Sequence, residues 1–223
     1  MAPRFSWTTF DVTSQLPAGW RKDIDAATAG ADIREFPRTP ILSREAADVA
    51  NISRGRVHAD QVRRSLPWLY AAYRGLFLEL AGIAAAERVR PAADDRYGVV
   101  LNVQRGTRMR FECHVDSNPV TGILFCTDHP AGAGGELVVG HDEAAAGMTA
   151  IDRDCSVIRP HAGQVIVFDG SRNPHYARPL SAASDVRVVA VMNFYTKSRP
   201  ESTRPPELNR HLFGPDRIPA GIS

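Results

Sequence analysis

The sequence predicts a mainly β protein of the α+β class, in which a sandwich or double-sheet barrel of short strands is braced by an N-terminal layer of helices. Two observations carry this prediction. Apolar residues follow a helical period before residue 96, and from Tyr97 onward the chain changes to short β-rich runs separated by turn residues. Short strands at this spacing are typical of sandwiches and barrels, and helices can cover the outer face of one sheet.

The helical prediction concerns the segment from about Ser43 to Val89, where apolar side chains recur at three- and four-residue spacing. Pro67 suits the first turn of a helix because its missing N–H is not needed there, and Ser65 lies two residues earlier, where a helix start is expected. These helices are expected to brace a sheet, with their aromatic residues packed in the core.

The strand predictions rest on β-rich runs and on the turn residues between them. The predicted strands cover residues 97–104, 107–116, 120–127, 135–140, 156–159, 164–168 and 186–195. The breakers are Asn118-Pro119, Pro130-Ala131-Gly132, Ala162-Gly163 and Asp169-Gly170.

The length of 223 residues and the hydrophobic content of 43% favour one domain with a substantial buried core. We expect helical N-terminal support over 1–95, a β core over 96–197 and a C-terminal arm over 198–223. The arm is rich in Pro, Arg and Glu, so it could lie over the mouth of a site or be poorly ordered.

The composition limits which classes of partner are expected. The net charge is +2, and Lys22 and Lys197 are the only lysines, so the arginine content indicates compositional bias and nucleic acid is not the expected partner. No run approaches the roughly 20 apolar residues that cross a bilayer, and no secretion signal is recognisable. A cytoplasmic protein with reduced cysteines is expected, and its oligomeric state is left open.

The most specific pattern is His114-Val115-Asp116, followed by His175 and by Arg187 twelve residues later. Residues i and i+2 of a strand point to one face, so His114 and Asp116 can bind one ion together. With His175 they supply two imidazoles and a carboxylate, which suits one face of an octahedral Fe(II) and leaves three positions open. Taken alone, an H-x-D triplet is more often a hydrogen-bonded surface pair.

Zinc competes with iron, since two histidines and a carboxylate also bind catalytic Zn²⁺. Arg187 argues against zinc, because a buried guanidinium near the metal would bind an anionic co-substrate. The alternative for Arg187 is a surface ion pair with Asp185. Among the other histidines, we interpret His161 as the spare ligand should His175 not serve.

The same residues resemble the Fe(II)/2-oxoglutarate-dependent oxygenase superfamily, whose hallmark is H-x-D, a distant His and then an Arg or Lys. The resemblance spans roughly residues 97–195 and is nearest to the prolyl-hydroxylase-like branch. The supporting runs are Arg110-Phe111-Glu112-Cys113-His114-Val115-Asp116, Gly122-Ile123-Leu124-Phe125-Cys126-Thr127 and Gly134-Gly135-Glu136-Leu137.

The resemblance implies a double-stranded β-helix (jelly-roll) core and the use of Fe(II), 2-oxoglutarate and O₂. It implies that His114, Asp116 and His175 are the catalytic iron ligands and that Arg187 binds the distal carboxylate of 2-oxoglutarate. Gln104 stands ten residues before His114, where that branch often has a tyrosine near the co-substrate, so it is a candidate for co-substrate binding. Phe125 stands where a second tyrosine is expected.

The sequence also resembles small bacterial hydroxylases of free amino acids, which are related to radical amino-acid halogenases. In those halogenases a glycine replaces the carboxylate ligand and chloride takes the vacated iron position. Asp116 is present here, so the resemblance implies hydroxylation.

Strand parity gives two candidates for substrate binding. Asn193 shares a face with Arg187, and Glu112 shares a face with His114. Asn193 could bind a polar substrate or be a core amide bonded to backbone. Glu112 could meet a substrate ammonium or be a solvated carboxylate.

The expected function is hydroxylation of an unactivated C–H bond in a small polar metabolite, with a free amino acid as the first expectation, and with release of succinate and CO₂. One alternative is a hydroxylase of a peptidyl or carrier-bound residue. The other is a non-catalytic β-sandwich that binds a ligand or a metal.

Overall fold

The computed structural model describes residues 6–213. The strands are β1 (Trp7–Asp11), β2 (Asp32–Pro37), β3 (Asn51–Val57), β4 (Val89–Pro91), β5 (Val99–Arg105), β6 (Val120–Phe125), β7 (Leu137–Gly140), β8 (Cys155–Ile158), β9 (Gln164–Phe168), β10 (His175–Ala177) and β11 (Val186–Thr196). The helices are α1 (Trp20–Thr28), α2 (Ala59–Ser65), α3 (Pro67–Arg74), α4 (Leu76–Ala85), α5 (Met148–Ile151) and α6 (Glu207–Phe213).

Two antiparallel sheets form the core of the fold. The larger sheet has the order β1-β9-β6-β11-β5-β3-β2, with β4 paired to the end of β11, and the smaller sheet has the order β10-β7-β8. The strand β11 is central, because it pairs with β5 on one side and with β6 on the other. This arrangement confirms the predicted mainly β fold with helices and fits the jelly-roll core that the resemblance implied.

Alternation along the strands of the larger sheet separates two apolar cores. Phe125, Phe168 and Val189 point inward and pack with Val139 of the smaller sheet. The intervening residues, such as Leu101, Leu124 and Met192, point outward and pack with Tyr73 and Phe77 of the helical layer. Side chains on the inner face of β11 therefore lie between the sheets, which is where Arg187 is placed.

The helical N-terminal layer is only partly confirmed. Helices α2, α3 and α4 lie within the predicted segment, and Pro67 is the first residue of α3 as expected. Ser65 does not cap that helix, since its hydroxyl donates to the carbonyl of Gln61 at 2.8 Å. The prediction of helix over 43–57 was wrong, because residues 51–57 form β3, which pairs with both β2 and β5.

The predicted strand over 107–116 was also wrong. Residues 107–116 form turns and an extended loop whose sheet-like feature is an isolated bridge at His114. The loop is held by Glu45, whose carboxylate binds Arg110 at 2.6 and 2.9 Å and accepts the backbone N–H of Cys113 at 2.6 Å. The H-x-D motif is thus fixed by contacts with the segment before β3.

Part of the C-terminal arm is ordered into α6. The ring of Tyr97 contacts it, since the hydroxyl donates to Asn209 Oδ1 at 2.9 Å and the ring meets Phe213 edge to face. Residues 214–223 of the predicted arm lie outside the described residues. Among residues 6–213, no helix combines the length and apolar character needed to cross a membrane.

Candidate metal centre

His114 and His175 are brought together by the backbone. They face each other in an isolated antiparallel bridge, in which each N–H donates to the other's carbonyl at 3.0 and 2.9 Å. Directly opposed residues of this kind project their side chains on the same side, with Cα atoms about 5.5 Å apart. The two imidazole rings accordingly lie with their centroids 4.5 Å apart.

Asp116 completes the cluster. Its Oδ1 lies 3.3 Å from His114 Nε2, and its Oδ2 lies 3.6 Å from His175 Nε2. Ligands about 2.1 Å from a metal and at right angles to one another lie about 3 Å apart, so these atoms stand near the edges of one octahedral face. Within the described part of the chain, this trio is the one group of His, Cys, Asp and Glu with metal-ligand spacing.

Both imidazoles are oriented for coordination through Nε2. The Nδ1–H of His114 donates to the carbonyl of Glu112 at 2.7 Å, and that of His175 donates to the carbonyl of Asn173 at 3.0 Å. This leaves the Nε2 lone pairs directed toward Asp116. Burial lowers the pKa of His175 to about 4, which keeps that ring neutral and able to bind a metal.

The carboxylate of Asp116 is also held in its charged form. Burial alone would raise its pKa, but the two imidazoles and the hydroxyl of Thr121 hold the pKa below its ordinary range. Thr121 Oγ1 donates to Asp116 Oδ2 at 2.5 Å and accepts from Asn118 Nδ2 at 2.8 Å. Asn118 and Thr121 therefore orient a metal ligand, which the sequence alone did not indicate.

Gly170 leaves the space in which Asp116 lies. A Cβ at this position would come 2.1 Å from Asp116 Oδ2 and 3.1 Å from His175 Cε1. Its carbonyl accepts the backbone N–H of Asp116 at 2.9 Å. The Asp169-Gly170 turn that the sequence marked as a breaker thus forms one wall of the metal centre.

Arg187 lies beside this cluster and is 2% exposed. Its Nη1 donates to Gln104 Oε1 at 3.0 Å, while its Nε is buried without a hydrogen-bond acceptor among the described residues. No carboxylate of residues 6–213 lies within 4.0 Å of its guanidinium, so the alternative of a surface pair with Asp185 is excluded. Burial lowers its pKa to about 10, and the group stays cationic at neutral pH.

Gln104 lies next to Arg187. Its amide Nε2 donates to the carbonyl of Arg178 at 2.9 Å and to that of Met109 at 3.3 Å, so the amide cannot rotate freely. Its Oε1 is thereby presented to Arg187, which it pairs with across β5 and β11. The side chain is placed to hold Arg187 in position.

We call the cavity beside these residues the Arg187 cavity. It spans ≈ 390 Å³ and its walls include His114, Asp116, His175 and Arg187. Apolar side chains from three strands form a further part of the wall, namely Ile123, Leu137 and Val189. The metal ligands and Arg187 share the wall of this cavity, and the buried, unpaired Nε is the observation that favours an anionic ligand here.

A second cavity also reaches His114 and Asp116, and we call it the Arg54/Arg56 cavity. It spans ≈ 670 Å³ and is lined by both of these metal-cluster residues, by Arg54 and Arg56, and by Asn193. Leu208 and Leu212 of α6 form part of its wall. Asn102 lies in the wall of both cavities, and its Oδ1 is buried without a donor among the described residues.

The two substrate-binding candidates lie in this second cavity with local partners of their own. Glu112 accepts hydrogen bonds from the N–H of Thr39 at 2.6 Å and from its hydroxyl at 2.8 Å. Asn193 shares the inner face of β11 with Arg187, and its Nδ2 donates to the carbonyl of Tyr97 at 2.6 Å. Their roles in substrate binding stay predictions.

Sequence reasoning missed Arg54, Arg56 and Asn102. Asn102 could have been found, because it shares the alternation of Gln104 along the predicted strand. The arginines carried no such signal, since residues 43–57 had been interpreted as a helix. His161, the proposed spare ligand, is exposed in a turn and does not belong to the His114, Asp116 and His175 group.

The family model described as the 2OG-Fe(II) oxygenase superfamily matches residues 99–195. That segment holds His114, Asp116, His175 and Arg187, and over these residues the chain is similar to this superfamily. It is therefore an enzyme of the 2-oxoglutarate-dependent oxygenase class, whose reactions use Fe(II), 2-oxoglutarate and O₂. No curated protein matches the sequence.

Solved structures share the fold at low identity. The epimerase SnoN from nogalamycin biosynthesis, in complex with Fe³⁺, α-ketoglutarate and nogalamycin RO, has a TM-score of 0.61 and 16% identity, over 99% of this chain and 88% of that one. AviO1 from Streptomyces viridochromogenes Tue57 has a TM-score of 0.61 and 18% identity, over 91% and 94%. A prolyl hydroxylase from Trichoplax adhaerens, in complex with a hypoxia inducible factor peptide fragment, has a TM-score of 0.56 and 11% identity, over 86% and 84%. These likenesses show the fold.

Proposed function

We propose that this protein is a 2-oxoglutarate-dependent dioxygenase that hydroxylates an unactivated C–H bond of a small polar metabolite, with a free amino acid as the first expectation, and releases succinate and CO₂. The observation that carries the proposal is the buried Arg187, whose Nε has no partner, in the wall of the same cavity as His114, Asp116 and His175. A buried cation of this kind calls for an anionic ligand.

In this proposal His114, Asp116 and His175 hold the iron, and the iron supplies the activation of O₂ when it is bound. The donor set fits the metal, because both Nε2 atoms and the Asp116 carboxylate face one point and both rings are fixed through Nδ1. Arg187 binds the distal carboxylate of 2-oxoglutarate, and Gln104 keeps its guanidinium in place. The apolar walls of the Arg187 cavity exclude water from the co-substrate.

The substrate would enter through the Arg54/Arg56 cavity, which reaches the same His114 and Asp116 but does not include Arg187 in its wall. The position of α6 supports a small substrate, because Leu208 and Leu212 cover part of that cavity. Asp116 supports hydroxylation, since it keeps the carboxylate ligand that the related halogenases lack. Relatives of the same fold include an epimerase and a carbocyclase, so the reaction outcome needs a direct assay.

The test is succinate formation by Fe(II)-loaded protein given 2-oxoglutarate, O₂ and a panel of free amino acids, with mass spectrometry of each candidate. We expect one member to stimulate succinate formation and to gain one oxygen. Stimulation without a gain of oxygen would contradict hydroxylation, and an unstimulated panel with a peptide that is turned over would replace the free amino acid by a peptidyl residue.

A further inference from the structure

Arg54 and Arg56 form a paired cationic surface on β3. They are two residues apart, so both side chains point to the inner face of the larger sheet. Arg56 lies directly opposite Asn102 in the β3–β5 register. Both arginines line the cavity that reaches His114 and Asp116, so they face the open side of the metal centre.

Arg54 is held rigidly in this position. It is 4% exposed, and its guanidinium carbon lies 4.8 Å from the ring centroid of Phe36 and 5.6 Å from that of Phe111. Its Nε is buried and has no acceptor among the described residues. A guanidinium fixed between two aromatic rings keeps its planar donors in one direction, which suits recognition of a planar anion.

The acidic groups that the structure describes do not balance the pair. Glu112 is the nearest carboxylate, with its Oε2 3.7 Å from Arg54 Nη1, but both of its oxygens are bound by Thr39. Arg56 has no ion pair within 4.0 Å in the described part of the chain, and its Nε has no acceptor there. Among residues 6–213, one positive charge in the cavity is therefore left without a counter-charge.

The lowered pKa of Arg56 is consistent with an unbalanced positive charge in the cavity. Burial, and after it the charge of Arg54, lower the pKa of Arg56 to about 9, while Glu112, Tyr97 and Asp32 act in the opposite direction. His211 of α6 also faces the pair, and its pKa is lowered by burial, so this ring adds no charge at neutral pH. A bound anion would offset the repulsion between two adjacent cations, of which Arg54 is buried and Arg56 partly buried.

We infer that Arg54 and Arg56 form a subsite that binds an acidic group of the primary substrate, such as a carboxylate. The subsite is separate from the Arg187 cavity, so the acid it binds is not that of the co-substrate. The inference rests on the proposed function, because it takes the Arg54/Arg56 cavity as the place where the substrate binds. It narrows that function to substrates with an acidic group, held in the cavity whose wall does not include Arg187.

The first test needs no substrate and no turnover. Protein loaded with Zn²⁺ and saturated with 2-oxoglutarate is labelled with ¹⁵N, and the arginine Nε–H resonances are followed during titration with acetate or acetamide at constant ionic strength. The variants Arg54→Lys and Arg56→Lys each remove one resonance and so assign the pair. We expect acetate to shift the resonances of Arg54 and Arg56 in a saturable way, and acetamide to leave them in place.

The inference is overturned if acetate shifts neither resonance, or if acetamide shifts them equally. The Arg187 resonance gives an independent readout, since 2-oxoglutarate should shift it before any acetate is added. If 2-oxoglutarate does not shift the Arg187 resonance, the proposed function is contradicted. The acetate titration then still tests the Arg54/Arg56 subsite independently.

The second test uses turnover. Once an amino acid substrate is found, we expect its carboxamide to be a poorer substrate, and Arg56→Gln to raise KM for the acid at least tenfold while KM for 2-oxoglutarate is unchanged. Arg90→Gln, an exposed arginine on β4, is the matched control. An equal rise in both KM values, or an unchanged KM for the acid, would show that Arg56 has only a structural role.

Discussion

The two cavities that flank His114 and Asp116 are built from different parts of the chain. The Arg187 cavity is formed by strands and by residues inside the segment 99–195 that the family model matches. The Arg54/Arg56 cavity also takes walls from outside it, from β3 and from α6. The difference teaches that the cavity proposed for the co-substrate is built wholly within the matched core, whereas the cavity proposed for the substrate also depends on segments outside that core.

The largest effect on turnover is expected from a substitution in the metal centre, which both cavities share. Asp116→Ala takes away a metal ligand, and loss of a ligand should cost more than the 10- to 100-fold that loss of a supporting hydrogen bond costs, so we expect turnover to fall by at least about 1,000-fold. The measurement is succinate formation together with iron bound per chain. Asp48→Asn, at an exposed position, is the control, and full activity of Asp116→Ala would refute the ligand assignment.

A substitution confined to the Arg187 cavity should distinguish the roles of the two cavities. Arg187→Gln removes the buried cation, and we expect Kd for 2-oxoglutarate to rise by about 100-fold, as when one partner of a buried charge pair is removed. Binding is measured by the charge-transfer absorbance of the anaerobic Fe(II) complex. Arg172→Gln, whose exposed side chain pairs with Glu143, should leave Kd unchanged.

An intermediate effect is expected from the residues that orient Asp116. Thr121→Val keeps the shape of the side chain but removes its hydrogen bonds to Asp116 and Asn118. We expect metal affinity to fall by about tenfold, as measured by competition with a chromophoric chelator. Thr107→Val, on an exposed turn, is the control, and equal affinities of the two variants would show that the hydroxyl does not support the ligand.

The smallest effect is expected on KM for the primary substrate, from a substitution that loosens α6 in the wall of the Arg54/Arg56 cavity. Tyr97→Phe keeps the ring but removes the hydrogen bond to Asn209 of α6, which is worth about 1 kcal/mol. We expect KM for the primary substrate to rise about fivefold with Kd for 2-oxoglutarate unchanged. Tyr70→Phe removes a comparable hydrogen bond to Asp95, away from both metal cavities, and should change neither value.

The sequence could predict the metal centre because its chemistry depends on residue types that are rare in combination. His114, Asp116, His175 and Arg187 were each singled out by spacing, and the structure brings all four around one cavity. The fold class followed from the short, evenly spaced strands. The support that Asn118 and Thr121 give to Asp116 could not be predicted, because it depends on how a turn returns to the H-x-D loop.

The Arg54/Arg56 cavity could not be predicted, because residues 43–57 had been interpreted as a helix. In β3 both faces are covered, since Val57 packs outward against the helical layer while Arg54 is buried on the inner face. A strand with buried arginines does not alternate between apolar and polar faces as a half-exposed strand does. The nearby apolar residues of 43–52 then matched a helical period by coincidence, and the segment was assigned to the wrong secondary structure.

One uninterrupted strand, β11, reaches both cavities, with Arg187 at one and Asn193 at the other. Six residues at about 3.3 Å each separate these side chains by about 20 Å. Hydrogen bonds to neighbouring strands fix both sides of β11. The distance between these two positions is therefore difficult to change by mutation. Descendants of this protein that accept longer or shorter substrates would therefore be expected to change in α6 and in the segment before β3, while β11 stays the same length.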